Sequence, residues 1–424
     1  MIELKPNSYR AFDCPACASG DVEVSDTVFQ GIHVLADCRC VVCGLEFYHE
    51  YPVGNALRYP TVFGKLNGVL YSGVKVPWYS KPLLTSYQNK CNDDIVIEKR
   101  VYQRHSSTII LNCLDFLYGH VLLKLLNAQY YLDNCPEHGL IVIIPRKFAW
   151  LVPAGVAEVW QVDIGIYSGG QRWLVRFDEF VRREMMRFDR VFLSLAFSVP
   201  DFSNVDITRF TRVAPFSLAD YSNSKPTITF ILREDRLWYG SASERFAYLV
   251  CKKLKLLPYI RSVFLRSQSR RIMGMFKVIM RQIPDASCEV VGLCTVGPFR
   301  NGMESNQIDE QIERAWCERY ARSHVVIGVH GSNMLLPTAH AAGFIEVLPK
   351  SRNGNIVQDI ASPHIGRKLL FLGRFVREFV SPREVADLAV AMIKDFEGFE
   401  MYMDYETLRH DCYADARHLK ARET

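Results

Sequence analysis

The chain has 424 residues, 13 cysteines and a formal net charge of 51 − 46 = +5. That length exceeds the size at which single cores stop growing, so two large domains with room for a small third are expected, and so mild a positive excess does not demand nucleic acid or an anionic membrane as partner. No stretch approaches the roughly 18 consecutive apolar residues that span a bilayer, and the opening MIELKPNSYR lacks a signal peptide's apolar segment. The expectation is a cytoplasmic protein with no transmembrane segment, peripheral membrane association left open, and cysteines that are reduced thiols or metal ligands.

The first 50 residues carry two CxxC knuckles, Cys14-Pro15-Ala16-Cys17 and Cys40-Val41-Val42-Cys43, with strand-like stretches at Val22–Phe29 and Gly31–Ala36 between them. This spacing predicts a zinc ribbon over 1–50, with Cys14, Cys17, Cys40 and Cys43 closing a tetrahedral shell. Four protein ligands leave no open position, so the zinc is expected to be structural. Cys38 is left over, as a spare thiol or a core residue. The alternative, reduced cysteines without metal, leaves unexplained how so few large apolar groups hold a fold. Arg39 is the only Lys or Arg between Asp13 and Tyr51, far from the several cations a nucleic-acid footprint needs; a docking or stabilising role fits better.

Residues 51–94 are rich in Gly, Pro, Tyr and Asn and read as a connector whose aromatics pack rather than bind sugar. From 95 to 213, strands at Ile95–Val101, Thr108–Leu111, Leu140–Pro145, Val156–Val162 and Arg190–Leu195 alternate with helices at Leu114–Leu132 and Phe177–Arg187, the pattern of a Rossmann-like α/β domain. A Ser, Asn and Pro-containing linker at 214–226 leads to a second such domain at 227–400. There, strands at Ile228–Arg233 and Cys288–Leu293 accompany helices at Glu244–Leu256, Ile272–Gln282, Gln307–Ala321 and Pro382–Phe396, the last with proline at its start. The basic run Arg266–Arg271 reads as a solvated face, Asp93-Asp94 as a turn, and 401–424 as a C-terminal extension.

Within the second domain the stretch HVVIGVHGSNMLLPTAHAAGFIEVLP, His324 to Pro349, has two apolar runs separated by a polar turn and a helix-length segment. Such runs suit a parallel sheet covered on both faces, and the turn at the first strand's carboxyl end is where α/β folds bind anions. A phosphate is therefore expected near Gly331 and Ser332. The stretch resembles the C-terminal signature of glycosyltransferase family 61, which includes plant core xylosyltransferases and animal O-GlcNAc transferases of the secretory pathway. The match lies in the apolar strand, Gly328, His330, Gly331, Ser332, Gly343, Glu346 and Pro349. Asn333 stands where the family usually carries a second glycine, and Leu336 where it carries asparagine.

Two further patches are similar to that family. Leu117-Tyr118-Gly119-His120 resembles its first-domain helix, with Lys124 where the family has an acid, and Phe230-Ile231-Leu232-Arg233-Glu234-Asp235-Arg236 places arginines after a strand. The resemblance implies a GT-B arrangement of two Rossmann-like domains and an inverting, metal-independent transfer from a nucleotide sugar, with a UDP-sugar the expected donor. The acceptor is a glycan or glycoconjugate in bacterial surface polysaccharide synthesis. It implies Gly331, Ser332 and Asn333 as the diphosphate cradle, Arg233 and Arg236 as leaving-group cations, His330 as a phosphate donor and Glu346 as the ribose acceptor. His120 is the expected base, with Asp115 as alternate. Lys124 in place of the acid also admits a non-catalytic nucleotide- or glycan-binding scaffold, and Arg233 admits an ion pair with Glu234 or Asp235 instead.

Overall fold

The computed structural model of the chain describes residues 1–9, 11–90, 95–164, 172–197, 202–292, 309–358 and 360–403. The Asp93-Asp94 turn, the start of the helix expected from Gln307, the strand end expected at Leu293, and 404–424 of the extension lie outside them. The chain divides into two compact units, Met1–Thr211 and Arg212–Thr424. The fold is mixed α/β, with three sheets among the described residues.

The first unit opens with strands β1 (Ile2–Lys5), β2 (Val22–Gln30), β3 (His33–Cys40), β4 (Glu46–Glu50), β5 (Val62–Gly64) and β6 (Leu70–Ser72), then helix α1 (Pro77–Gln88). It continues through β7 (Ile97–Val101), β8 (Ser107–Asn112), α2 (Tyr118–Leu126), α3 (Ala128–Asn134), β9 (Gly139–Pro145) and β10 (Glu158–Val162). Helix α4 (Val175–Met185), β11 (Arg190–Leu193) and α5 (Thr208–Thr211) end it. One sheet has the order β1-β11-β8-β9-β10-β7; its inner four strands run parallel and both edges antiparallel. Every residue of β9 is buried, which is why its sequence is continuously apolar rather than alternating.

The expected partition into a ribbon at 1–50 and a connector at 51–94 is replaced by something more continuous. Strands β2 to β6 form a single antiparallel sheet, so the ribbon runs on through Val62 and Phe63, both buried against β4. Strand β1, from the ribbon's own segment, instead edges the α/β sheet, pairing Ile2 with Leu193. One core joins Cys38, Cys40, Phe47 and Tyr51 to Ile110, Ile141, Trp160 and Phe177. The physical reason is size: a 50-residue ribbon buries too little by itself and completes its core against its neighbour.

The single helix expected over Leu114–Leu132 is two. It starts late because the Asp115 carboxylate accepts the N–H groups of Phe116 and Leu117 at 2.8 and 3.3 Å and shapes a turn there. It breaks at Asn127, whose side-chain amide donates to the carbonyls of Leu123, Lys124 and Phe197, the competition with backbone that makes asparagine a helix breaker.

The second unit contains β12 (Thr227–Ile231), α6 (Ala242–Lys253), α7 (Leu257–Gln282), β13 (Ser287–Val291), α8 (Glu310–Tyr320) and β14 (Val325–Val329). A 3-10 turn at Ser332–Met334 precedes α9 (Leu335–His340), followed by β15 (Gly343–Leu348), α10 (Gly366–Leu372), β16 (Gly373–Arg377) and α11 (Pro382–Lys394). All five strands are parallel in the order β13-β12-β14-β15-β16, so the winding reverses between β12 and β14. Helix α11 starts on a capping box, Ser381 with Glu384, and Pro382 occupies the position where its missing N–H costs nothing. Its Val385, Ala386 and Ala389 pack on Ile272, Met275 and Ile279 of α7. Among the described residues no helix is long and apolar enough to cross a membrane.

Two buried histidines, His324 and His340, and the partly buried His364 are expected to make this unit acid-sensitive. His340 donates from Nδ1 to the Leu336 carbonyl at 2.8 Å, yet burial outweighs that contact and pushes its pKa down to about 4. Burial lowers His324 and His364 in the same direction. A folded pKa below the unfolded value means stability that is complete above the unfolded pKa and is lost as pH falls from about 6.5 through 4. For His340 alone the loss is roughly 3 kcal/mol. Urea midpoints of this unit are expected to fall steeply between pH 7 and 4, and His340→Gln to flatten that fall. Midpoints independent of pH in the wild type would show that these imidazoles are not held neutral.

Candidate functional site

The cysteine knuckles lie together at the open end of the β2-β3 hairpin, where Val22 pairs with Cys40: Cys14 and Cys17 in the turn before β2, Cys40 as the last residue of β3 and Cys43 in the next turn. Each knuckle needs a left-handed residue to fold back: Ala18 at φ 57° and Gly44 at φ 72°. The four sulfurs lie within 4.8 Å of one another, with Cys14 to Cys43 at 3.5 Å and Cys17 to Cys40 at 3.6 Å. Thiolates about 2.3 Å from a zinc ion at tetrahedral corners stand about 3.8 Å apart, so the cluster fits a structural metal such as zinc. Cys38 is a core residue, 1% exposed, with its thiol pushed up to about 12 first by burial; the choice between spare ligand and core falls to core.

In the second unit the carboxyl ends of β12 and β14, at the winding reversal, bring together Arg233, Arg236, His330, Gly331, Ser332 and Asn333. Arg233 donates from Nη1 to Asn333 Oδ1 at 2.8 Å, and Arg236 from Nη1 to the His330 carbonyl at 3.1 Å. Gly331 holds φ 155° and ψ 172°, a region open essentially to glycine alone, and a Cβ there would lie 1.6 Å from Arg236 Nη1. The turn is thus built around a guanidinium in contact with backbone. It opens into a 3-10 turn and a six-residue α9, too short to bring much dipole, so an anion here would rely on the arginines.

Two expected roles are corrected. Glu346 lies inside β15 between β14 and β16, fully buried, and pairs with His330 Nδ1. His330 is also fully buried, with Nε2 facing the Asn355 carbonyl at 3.2 Å. Neither can meet a ribose or phosphate in this arrangement; together they fasten the end of β14 to β15 beneath the Gly331 turn. Arg233 also engages Asp235 in a bidentate pair, Nε to Oδ1 at 2.7 Å and Nη2 to Oδ2, while Glu234 pairs with Arg261 at 3.2 Å. Asp235 is 62% accessible, and such exposed pairs exchange readily.

Sequence reasoning missed Gln268. It lies in the basic run read as a solvated face, yet is 1% exposed, accepting from Trp238 N at 2.7 Å and donating to the Arg233 carbonyl at 3.0 Å. The lone amide between charged neighbours was the available signal.

In the first unit, Asp115 and His120 share the turn into α2, with Asp115 Oδ1 3.2 Å from His120 Nδ1. Lys124, one turn on, places Nζ 2.8 Å from Asp115 Oδ2 and 2.9 Å from the Leu114 carbonyl. Burial raises the Asp115 pKa, but the Lys124 ammonium and His120 outweigh it and hold the carboxyl well below the usual range. Asp115 is fully buried, so as an alternate base it is corrected: it can orient the imidazole but neither reach an acceptor nor readily take a proton. His120 keeps 17% of its side chain accessible.

No family model matches the chain, and no curated protein matches it.

Proposed function

We propose that the chain is a glycosyltransferase of GT-B type that moves a sugar from a nucleotide-sugar donor, such as a UDP-sugar, to a glycan or glycoconjugate. The observation that carries this reading is the convergence of Arg233, Arg236 and the glycine-dependent turn Gly331-Ser332-Asn333 where the parallel sheet reverses its winding. That is the position at which open α/β sheets take nucleotides, and two guanidiniums suit a departing diphosphate. In the same reading the first unit supplies the acceptor's base. His120, its Nδ1 turned to Asp115, takes the acceptor hydroxyl proton as the sugar's anomeric carbon bonds to that oxygen and its bond to the diphosphate breaks. No catalytic metal is invoked, and the cysteine cluster's zinc is structural.

The second reading, a scaffold that binds a nucleotide without turnover, is favoured by the Asp235 carboxylate already seated on the Arg233 fork. Calorimetry with UDP and GDP decides the site. Arg233→Ala is expected to weaken diphosphate binding by roughly 1.5 to 3 kcal/mol, the size of a charge-assisted contact, and to change nucleoside binding less. Gly331→Val, which displaces Arg236, should do the same. Unchanged affinity in both variants would move the site elsewhere. With a working donor, His120→Ala should slow turnover roughly 100-fold or more; tight nucleotide binding with no transfer or donor hydrolysis by the wild type would favour the scaffold.

A further inference from the structure

Helix α6 and the start of α7 carry large apolar side chains that no core covers. Phe246 and Leu249 on α6, Leu254 and Leu256 in the turn, and Tyr259 and Val263 on α7 are all exposed, Phe246 at 68% and Tyr259 at 82%. The opposite faces are fixed inward, since Tyr248 of α6 packs with Phe264, Leu265 and Leu237 in a small core of its own. The outward stripe is therefore held in place by packing, not by loose helices.

Along α7 this stripe changes character. Leu256, Tyr259 and Val263 are followed at the same three-to-four spacing by Arg266 and Arg270, both exposed. Val263 is about 10 Å along the axis from Leu256, and Arg270 about 21 Å. An apolar tip thus gives way to a basic shaft. The last turn of α6 adds Lys252 and Lys253, and the turn after it Lys255, all exposed. Between residues 242 and 284 the sequence has ten Lys and Arg against one acid, Glu244, and Glu244 is bound to Arg271 at 2.9 Å. Arg245 and Arg261 are paired in turn with Glu378 and Glu234 from outside this segment, which leaves Lys252, Lys253, Lys255, Arg266 and Arg270 as the exposed cations beside the apolar patch.

We propose that the α6-α7 turn is a site for the surface of an anionic lipid bilayer, in which Leu254, Leu256 and Tyr259 enter the boundary between headgroups and acyl chains while Lys252, Lys253, Lys255 and Arg266 meet lipid phosphates. Interfacial elements combine these features: apolar side chains on one face, Lys and Arg beside them, and a tyrosine where water meets hydrocarbon. Lysine stems reach past apolar neighbours to the phosphates, and each cation near an anionic leaflet adds to the affinity. A protein partner fits less well, because lysine is depleted from protein interfaces. Nucleic acid fits less well because Leu249, Leu254, Leu256 and Val263 make most of the patch aliphatic, leaving only Phe246 and Tyr259 as faces on which a base could stack. The inference does not depend on the glycosyl-transfer reading.

The test is flotation of the full chain with vesicles of phosphatidylcholine, alone or mixed with phosphatidylglycerol. The mixed vesicles should bind the chain at low salt at least roughly tenfold better than neutral ones, with binding lost as salt rises. The pair Leu254→Glu with Tyr259→Glu and the pair Lys252→Glu with Lys253→Glu should each weaken it roughly tenfold or more, with melting temperatures unchanged because all four residues are exposed. No binding to the mixed vesicles, or equal binding by wild type and both variants, overturns the proposal. So does a lipid-free dimer that Leu254→Glu with Tyr259→Glu dissociates, or binding to a short RNA, without binding to vesicles, that the lysine variant abolishes.

Discussion

Purified chain is expected to hold about one zinc ion, and removing it should unfold the first unit rather than only its N-terminal turns. Apparent zinc affinities in small tetrahedral sites correspond to roughly 10 to 16 kcal/mol, whereas a whole domain is stable by about 5 to 15 kcal/mol. Because the ribbon sheet shares its core with the α/β sheet through Cys40, Phe47 and Tyr51, even half the metal's contribution is a large fraction of what keeps that unit folded. Cys14→Ser and Cys40→Ser should release the ion and collapse the melting transition of Met1–Thr211, while the second unit melts as before. Cys38→Ala, which alters a core thiol and no ligand, should retain the metal. A fresh preparation with no zinc, or a chelated protein whose first unit melts normally, would end the metal reading.

The next largest effect is expected at Lys124. Its side chain is 4% accessible and its ammonium is the counterion of a carboxylate that is fully buried. Lys124→Met leaves Asp115 charged and enclosed without its ammonium partner, and breaking one partner out of a buried pair costs about 3 to 5 kcal/mol. Asp115→Asn in the same protein removes the stranded charge and should recover most of that loss, which a mere packing defect at 124 would not allow. Lys124→Glu should destabilise more than Lys124→Met because it brings a second carboxylate against the first. If the double variant is no more stable than the single, the ion pair is not what Lys124 contributes.

Sequence reading went furthest where structure is local. The apolar runs around His330 became β14 and β15 because each is short, apolar but for Glu346 in the second, and bounded by a glycine or a polar turn. The cysteine spacing carried through because a knuckle is a turn of a few residues and needs no distant partner. What failed was long-range. Glu346 reads as a site carboxylate at the end of a strand, but its pairing between β14 and β16 buries it, and neighbours tens of residues away decide that. Lys124 reads as a lost acid, whereas Asp115, nine positions earlier, supplies the carboxylate and makes lysine the residue the turn needs. The extension of the ribbon to β6 had only weak strand signals to announce it, in a segment interrupted by Gly, Pro and Asn.

The pairing of β1 with β11 sets an order on how the chain can assemble as it is made. Ile2 leaves the ribosome well before its partner Leu193, which follows 193 − 2 = 191 residues later. At synthesis rates of about 5 to 20 residues per second, that strand waits on the order of 10 to 40 s without its neighbour. The zinc knuckles, complete once Cys43 has emerged, close long before. Metal capture would therefore organise the ribbon early, while Ile2–Lys5, with Ile2 and Leu4 as its apolar face, waits without a strand partner until β11 arrives. Any additional segment fused ahead of Met1 would extend from that late-docking edge, and the yield of folded protein should be more sensitive to changes there than to changes at the exposed α6-α7 turn.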